Sequence, residues 1–168
     1  MKNPGSIAVL ILLFAFSFTN AQKIGDGETV DLNGLAVTFS ILNKESVTVG
    51  GKTFDRYKVS ARAINNSPKA YNIRLSNAPQ IVTNTALVEL NCINATGAKL
   101  TSKKLDLKMK AQNVNVTYWA YTKEGKYQSS VVPIVASYYL DIGDSVDDNA
   151  IFIVPAGEQP NVSVRKLQ

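Results

Sequence analysis

Beyond residue 34 the apolar side chains of this chain recur at every second position, and that period dictates what the chain can fold into. Leu35, Val37, Phe39 and Ile41 alternate with Ala36, Thr38 and Ser40. Successive side chains of a strand face opposite ways, so this is the pattern of a half-buried strand and not of a helix. Gly50-Gly51 marks a turn, after which Tyr57, Val59, Ala61 and Ala63 alternate with Lys58, Ser60, Arg62 and Ile64. Asn65-Asn66-Ser67-Pro68 closes that segment, since Pro removes a ladder donor and Asn tolerates left-handed backbone. Further strands are predicted over Tyr71–Leu75, Ala86–Ile93, Leu105–Met109, Val114–Tyr121, Val131–Leu140, Ala150–Val154 and Val162–Val164. Asn94 to Gly97, Lys123 to Lys126 and Gly143 to Asn149 read as connections, and Gln22 to Glu28 as a flexible lead-in. Many short strands punctuated by turns predict an all-β antiparallel sandwich or barrel formed by one domain over residues 22–168.

Residues 1–21 read as a secretory signal peptide. Lys2 supplies the positive start, Ile7 to Phe18 form an apolar run, and Thr19-Asn20-Ala21 places small residues before a cut at Gln22. The run is about 12 residues, short of the roughly 20 that span a bilayer, so no transmembrane span is expected after cleavage. No Cys stands at the cut, which excludes lipoprotein processing of this segment. The expected location is secreted or periplasmic. Four N-x-S/T triplets begin at Asn65, Asn94, Asn115 and Asn161; they matter for glycosylation only in a eukaryotic secretory pathway.

The 168 residues include no His and one Cys. Without His the chain lacks the commonest general base near neutral pH and the commonest transition-metal ligand. Cys92 cannot form a disulfide within the chain and reads as a small buried hydrophobe in an apolar strand. No nucleophile elbow, P-loop or dinucleotide fingerprint is present. The chain is therefore expected to be non-catalytic and free of cofactors. A formal charge of +5, spread along the sequence, gives nucleic-acid binding little support.

Three segments carry a resemblance. Gly34-Leu35-Ala36-Val37-Thr38-Phe39, then Tyr57 to Ser67, then Phe152-Ile153-Val154-Pro155-Ala156-Gly157 together resemble the bacterial extracellular immunoglobulin-like domains related to the mycobacterial immunoprotective antigen. The resemblance spans roughly residues 30–165, and residues 76–130 depart from the pattern. It implies an immunoglobulin-like antiparallel β-sandwich with an extracellular, non-enzymatic role, and it brings no catalytic residues.

Three surface features are candidate sites. In Val114–Tyr121 one face carries Val114, Val116, Tyr118 and Ala120, the other Asn115, Thr117, Trp119 and Tyr121. With the first face as core, Trp119 and Tyr121 form an outer platform able to stack on sugars or apolar peptide groups, flanked by Asn115 and Thr117. In the opposite register, or beneath a covering loop, Trp119 joins the core, as a lone Trp in a sandwich usually does. Asp141, Asp144, Asp147 and Asp148 crowd a short stretch and form a candidate calcium loop. Their spacing is not that of an EF-hand and no bidentate glutamate follows, so calcium is the weaker reading beside a solvated connection in which Asp stabilises turns. Lys103, Lys104, Lys108 and Lys110 lie along one strand, some of them on the face opposite Leu105, Leu107 and Met109; they suit an anionic polymer or, more commonly, the protection of a sheet edge. The leading expectation is an exported interaction domain that binds a protein or cell-envelope partner, with a small carbohydrate-binding module as the alternative.

Overall fold

The computed structural model describes residues 21–75 and 84–168. Apart from Ala21, the signal segment lies outside the described residues. The described chain is all β, with eleven strands: β1 (Gln22–Ile24), β2 (Thr29–Asp31), β3 (Leu35–Val49), β4 (Lys52–Asn65), β5 (Tyr71–Arg74), β6 (Ala86–Ile93), β7 (Lys99–Lys108), β8 (Lys110–Tyr121), β9 (Tyr127–Leu140), β10 (Ser145–Pro155) and β11 (Asn161–Lys166). Every pairing is antiparallel. One sheet has the order β1-β11-β6-β7 and a second β10-β4-β3-β2. These two pack face to face in a sandwich-like core. A third sheet, β5-β9-β8, adjoins them.

Alternation builds the core. Leu35, Val37 and Phe39 of β3 turn inward beside Ala63 and Ala61 of β4, and Val146, Phe152 and Val154 of β10 extend the layer. Val88, Leu90 and Cys92 of β6 face them, flanked by Leu105 and Leu107 of β7 and by Val162 and Val164 of β11. β6 is buried on both faces. Its outward Glu89 is 9% exposed because Lys104 and Arg165 reach across from the neighbouring strands.

Three expectations need correction. Gln22 to Glu28 is no loose lead-in: β1 pairs with β11, and Ile24 is drawn into the core. β10 begins at Ser145, so the connection predicted over Gly143 to Asn149 shrinks to the turn at Asp141–Asp144, whose Asp144 N–H donates to the Asp141 carbonyl. The second half of that stretch pairs with β4 from Ile64 to Ser60, and the ladder outweighs the turn preference of Asp and Asn. Third, the face Val114, Val116, Tyr118 and Ala120 is not core. Only Val116 is half-buried, and the others are exposed.

Candidate functional site

The hairpin β8–β9 leaves the body of the protein. Its root is held firmly. β5 pairs with β9 over Tyr71↔Leu140 to Arg74↔Ser137, and Leu140 is fully buried. Asn65, at the end of β4 and also fully buried, ties the root to the second sheet. Its Nδ2 donates to the carbonyls of Lys69 (2.9 Å), Leu140 (3.2 Å) and Asp141 (3.2 Å), and its Oδ1 accepts from Ser67 N–H and Oγ–H. Ser137 Oγ donates to Gln112 Oε1 at 2.7 Å, and Lys110 Nζ meets Asp144 Oδ2 at 2.8 Å. A register shift between Gln112 and Asn113 ends this root.

Beyond it, residues 113–135 form an arm that is two-stranded among the described residues, with both faces in solvent. Nine residues of β8 at about 3.4 Å each give a length of about 30 Å. Partners across the ladder share a face, so Val114 and Ile134, Val116 and Val132, and Tyr118 and Ser130 line one side. The other side carries Asn115 and Pro133, Thr117 and Val131, Trp119 and Ser129, and Tyr121 and Tyr127. Trp119 is 68% exposed, Tyr121 67% and Tyr127 74%. The rings of Tyr121 and Tyr127 meet edge to face at 5.1 Å. Asn115 and Thr117 are exposed beside them. The structure thus brings all four platform residues onto one face of the arm. It adds Tyr127 and Val131 from β9, which inspection of β8 alone misses. A signal for them existed: from Ala111 to Leu140 the only acidic or basic residues are Lys123, Glu124 and Lys126, at the hairpin tip.

The β3–β4 hairpin also extends past the core, but charges hold it. Lys44 meets Asp55 at 2.9 Å and lies 5.4 Å from the Tyr57 ring centre. Asp55 also accepts from Ser46 Oγ–H and Gly157 N–H, and Arg56 meets Glu45 at 3.3 Å. The Lys44 ammonium lowers the carboxyl pKa of Asp55 below its usual value. No comparable network stiffens the arm among the described residues.

The acidic residues do not assemble. Asp144 is engaged by Lys110, Asp141 lies in the turn, and Asp147 and Asp148 are successive residues of β10, which face opposite sides of the strand. Among the described residues no three carboxylate, His or Cys side chains gather to hold a metal. Lys103, Lys104 and Lys108 do stand outside while Leu105 and Leu107 are buried, and with Lys58, Asp106 and Asp148 they line an open groove of about 480 Å³ between β7 and β10. Lys104 is already bound by Glu89 at 2.7 Å and Asp106 at 3.1 Å, and Lys110 lies away at the root of the arm. Cys92 is fully buried, and burial pushes its thiol pKa up to about 12. Among the described residues no helix is long and apolar enough to cross a membrane. No protein-family model matches the chain, and no curated protein or solved structure does either.

Proposed function

We propose that this chain is an exported, non-catalytic interaction domain of the immunoglobulin-like type, which engages a protein or cell-envelope partner through the β8–β9 arm. The observation that carries this reading is the exposed ribbon whose only charges lie at its tip. A two-stranded hairpin is at best marginally stable in water, and contiguous exposed apolar surface on a soluble domain usually marks a binding site. Aromatic residues are the anchors that interfaces favour, and Trp119, Tyr121 and Tyr127 stand exposed toward the end of the arm. The absence of His and the raised thiol pKa of Cys92 favour binding over nucleophilic catalysis. The form of residues 1–21 supports export. For the immunoglobulin-like type, the three segments that carry the resemblance fall on β3, β4 and β10, which are neighbours in one sheet.

A second reading draws on Trp119 and Tyr121 sharing a face with Asn115 and Thr117: a carbohydrate platform, in which flat rings stack on sugar faces beside amide and hydroxyl groups. One experiment separates the two. The purified protein is used to capture partners from envelope extracts of its own organism, alongside Trp119→Ala/Tyr121→Ala and Val49→Ser variants. A specific protein band lost with the arm variant and kept with Val49→Ser supports the proposal. Capture indifferent to the arm variant overturns it, and oligosaccharide that shifts Trp119 fluorescence in the absence of protein capture selects the sugar.

A further inference from the structure

The strands that form sheet borders differ sharply in how they are guarded. β1, β2 and β5 are three or four residues long. β7 carries Lys99, Lys103, Lys104 and Lys108, β10 carries Asp147, Asp148 and Pro155, and these two lie against one another. Shortness, charge and proline are the usual protections against pairing with another chain. β8 has none of them from Ala111 to Tyr121.

The ladder shows which of its backbone groups are open. Thr122 N–H donates to the Lys126 carbonyl at 2.7 Å, so that pair faces inward. Alternation then turns the N–H and C=O of Tyr121, Trp119, Thr117 and Asn115 outward. Pro133 pairs with Asn115, so it lies in an outward position on β9 and blunts that border of the arm. Among the described residues no strand pairs with the β8 border, and it carries no proline.

We infer that β8 pairs antiparallel with β8 of a second copy of this chain, with Thr117 on the twofold axis. This register sets Asn115 against Trp119 and Asn113 against Tyr121 of the other copy, using outward-facing residues throughout. Charge favours it. The tip of each arm carries Lys123 and Lys126 against one Glu124, and antiparallel pairing brings that tip to the root of the other arm, where Lys110 lies opposite Glu124 and Asp141 and Asp144 outnumber Lys110. The pairing joins two arms into a four-stranded sheet whose aromatic faces are continuous. Nine residues a side is fewer than the roughly 20–30 of a standard interface, so the dimer is weak, populated on the order of tens of micromolar. The inference rests on the reading of the arm as the interaction element.

Sedimentation velocity over a concentration series tests it. The wild-type chain should move from monomer to dimer, less so at high salt. Thr117→Pro should stay monomeric with unchanged circular dichroism, because it removes only an outward donor, and Thr117→Lys should do the same by setting two like charges on the axis. Under mild oxidation Thr117→Cys should cross-link to its own symmetry mate, since the Cα separation of about 5.5 Å suits a disulfide; Ser129→Cys, on β9, should not. A wild-type chain that stays monomeric throughout, a dimer indifferent to both Thr117→Pro and Thr117→Lys, or no cross-link from Thr117→Cys overturns the inference. Partner capture that still depends on Trp119 and Tyr121 in a monomer leaves the broader proposal standing; a dimer without such capture does the reverse.

Discussion

Glu89 offers a sharp test of how the first sheet is held. It sits on the outer face of β6, where its carboxylate meets Lys104 at 2.7 Å, accepts from Arg165 at 2.8 Å and accepts from Asn91 at 3.0 Å. The Lys104 hydrogen bond is the largest cause that lowers its pKa from 4.5 to about 2, with burial opposing it. A depressed carboxyl pKa stabilises the folded state above the unfolded value, and that contribution fades as pH falls from 4.5 toward 2. At about 1.4 kcal/mol per pH unit the ceiling is about 3 kcal/mol. Lys104 and Arg165 are 47% and 48% exposed, so solvent screening reduces the contribution to about 1–2 kcal/mol. Glu89→Gln should therefore lower the melting midpoint at pH 7 by about 2–8 °C. The difference from wild type should hold down to about pH 5 and shrink toward pH 2. Thermal melts by circular dichroism at several pH values measure this. A gap that is absent at neutral pH, or that persists undiminished in acid, would refute the reasoning.

Other substitutions probe the remaining structure. Gly34→Ala should cost about 1–3 kcal/mol in a denaturant titration, because φ is +83° there and a Cβ would lie 2.7 Å from Ser67 Cβ. Asn65→Ala should cost about 1–3 kcal/mol by leaving buried carbonyls unpaired; amide exchange at the root of β9 should quicken, and unchanged exchange there would contradict the anchoring role. The Cys92 thiol should resist a thiol reagent at pH 8 until the chain is unfolded, since its raised pKa keeps it protonated. Phe152→Ala should cost about 3–5 kcal/mol in the same titration by opening a cavity against a fully buried ring.

The core strands were legible because burial on one face leaves a period-two trace. The segments predicted from Leu35, Tyr57 and Ala86 fall on β3, β4 and β6, and the turn at Gly50-Gly51 falls between β3 and β4. Cys92 is buried, as its apolar neighbours indicate. The arm shows where the pattern misleads. Val114, Val116 and Tyr118 alternate like a core face, yet a strand that leaves the body retains alternation without burial. Whether such a face meets a core depends on long-range packing, which local periodicity does not encode. The same holds for β1, whose place beside β11 depends on a residue 138 positions away, since Ile24 pairs with Val162. Asp147 and Asp148 read as turn residues because the sequence does not reveal that β4 waits beside them.

Trp119 is the chain's single tryptophan, so selectively excited tryptophan fluorescence reports on the arm alone. At low micromolar concentration the native emission should already be that of a solvated indole, with acrylamide quenching nearly as efficient as after unfolding. A blue-shifted, quencher-shielded signal that reddens only on denaturation would return Trp119 to the core and remove the arm from the account.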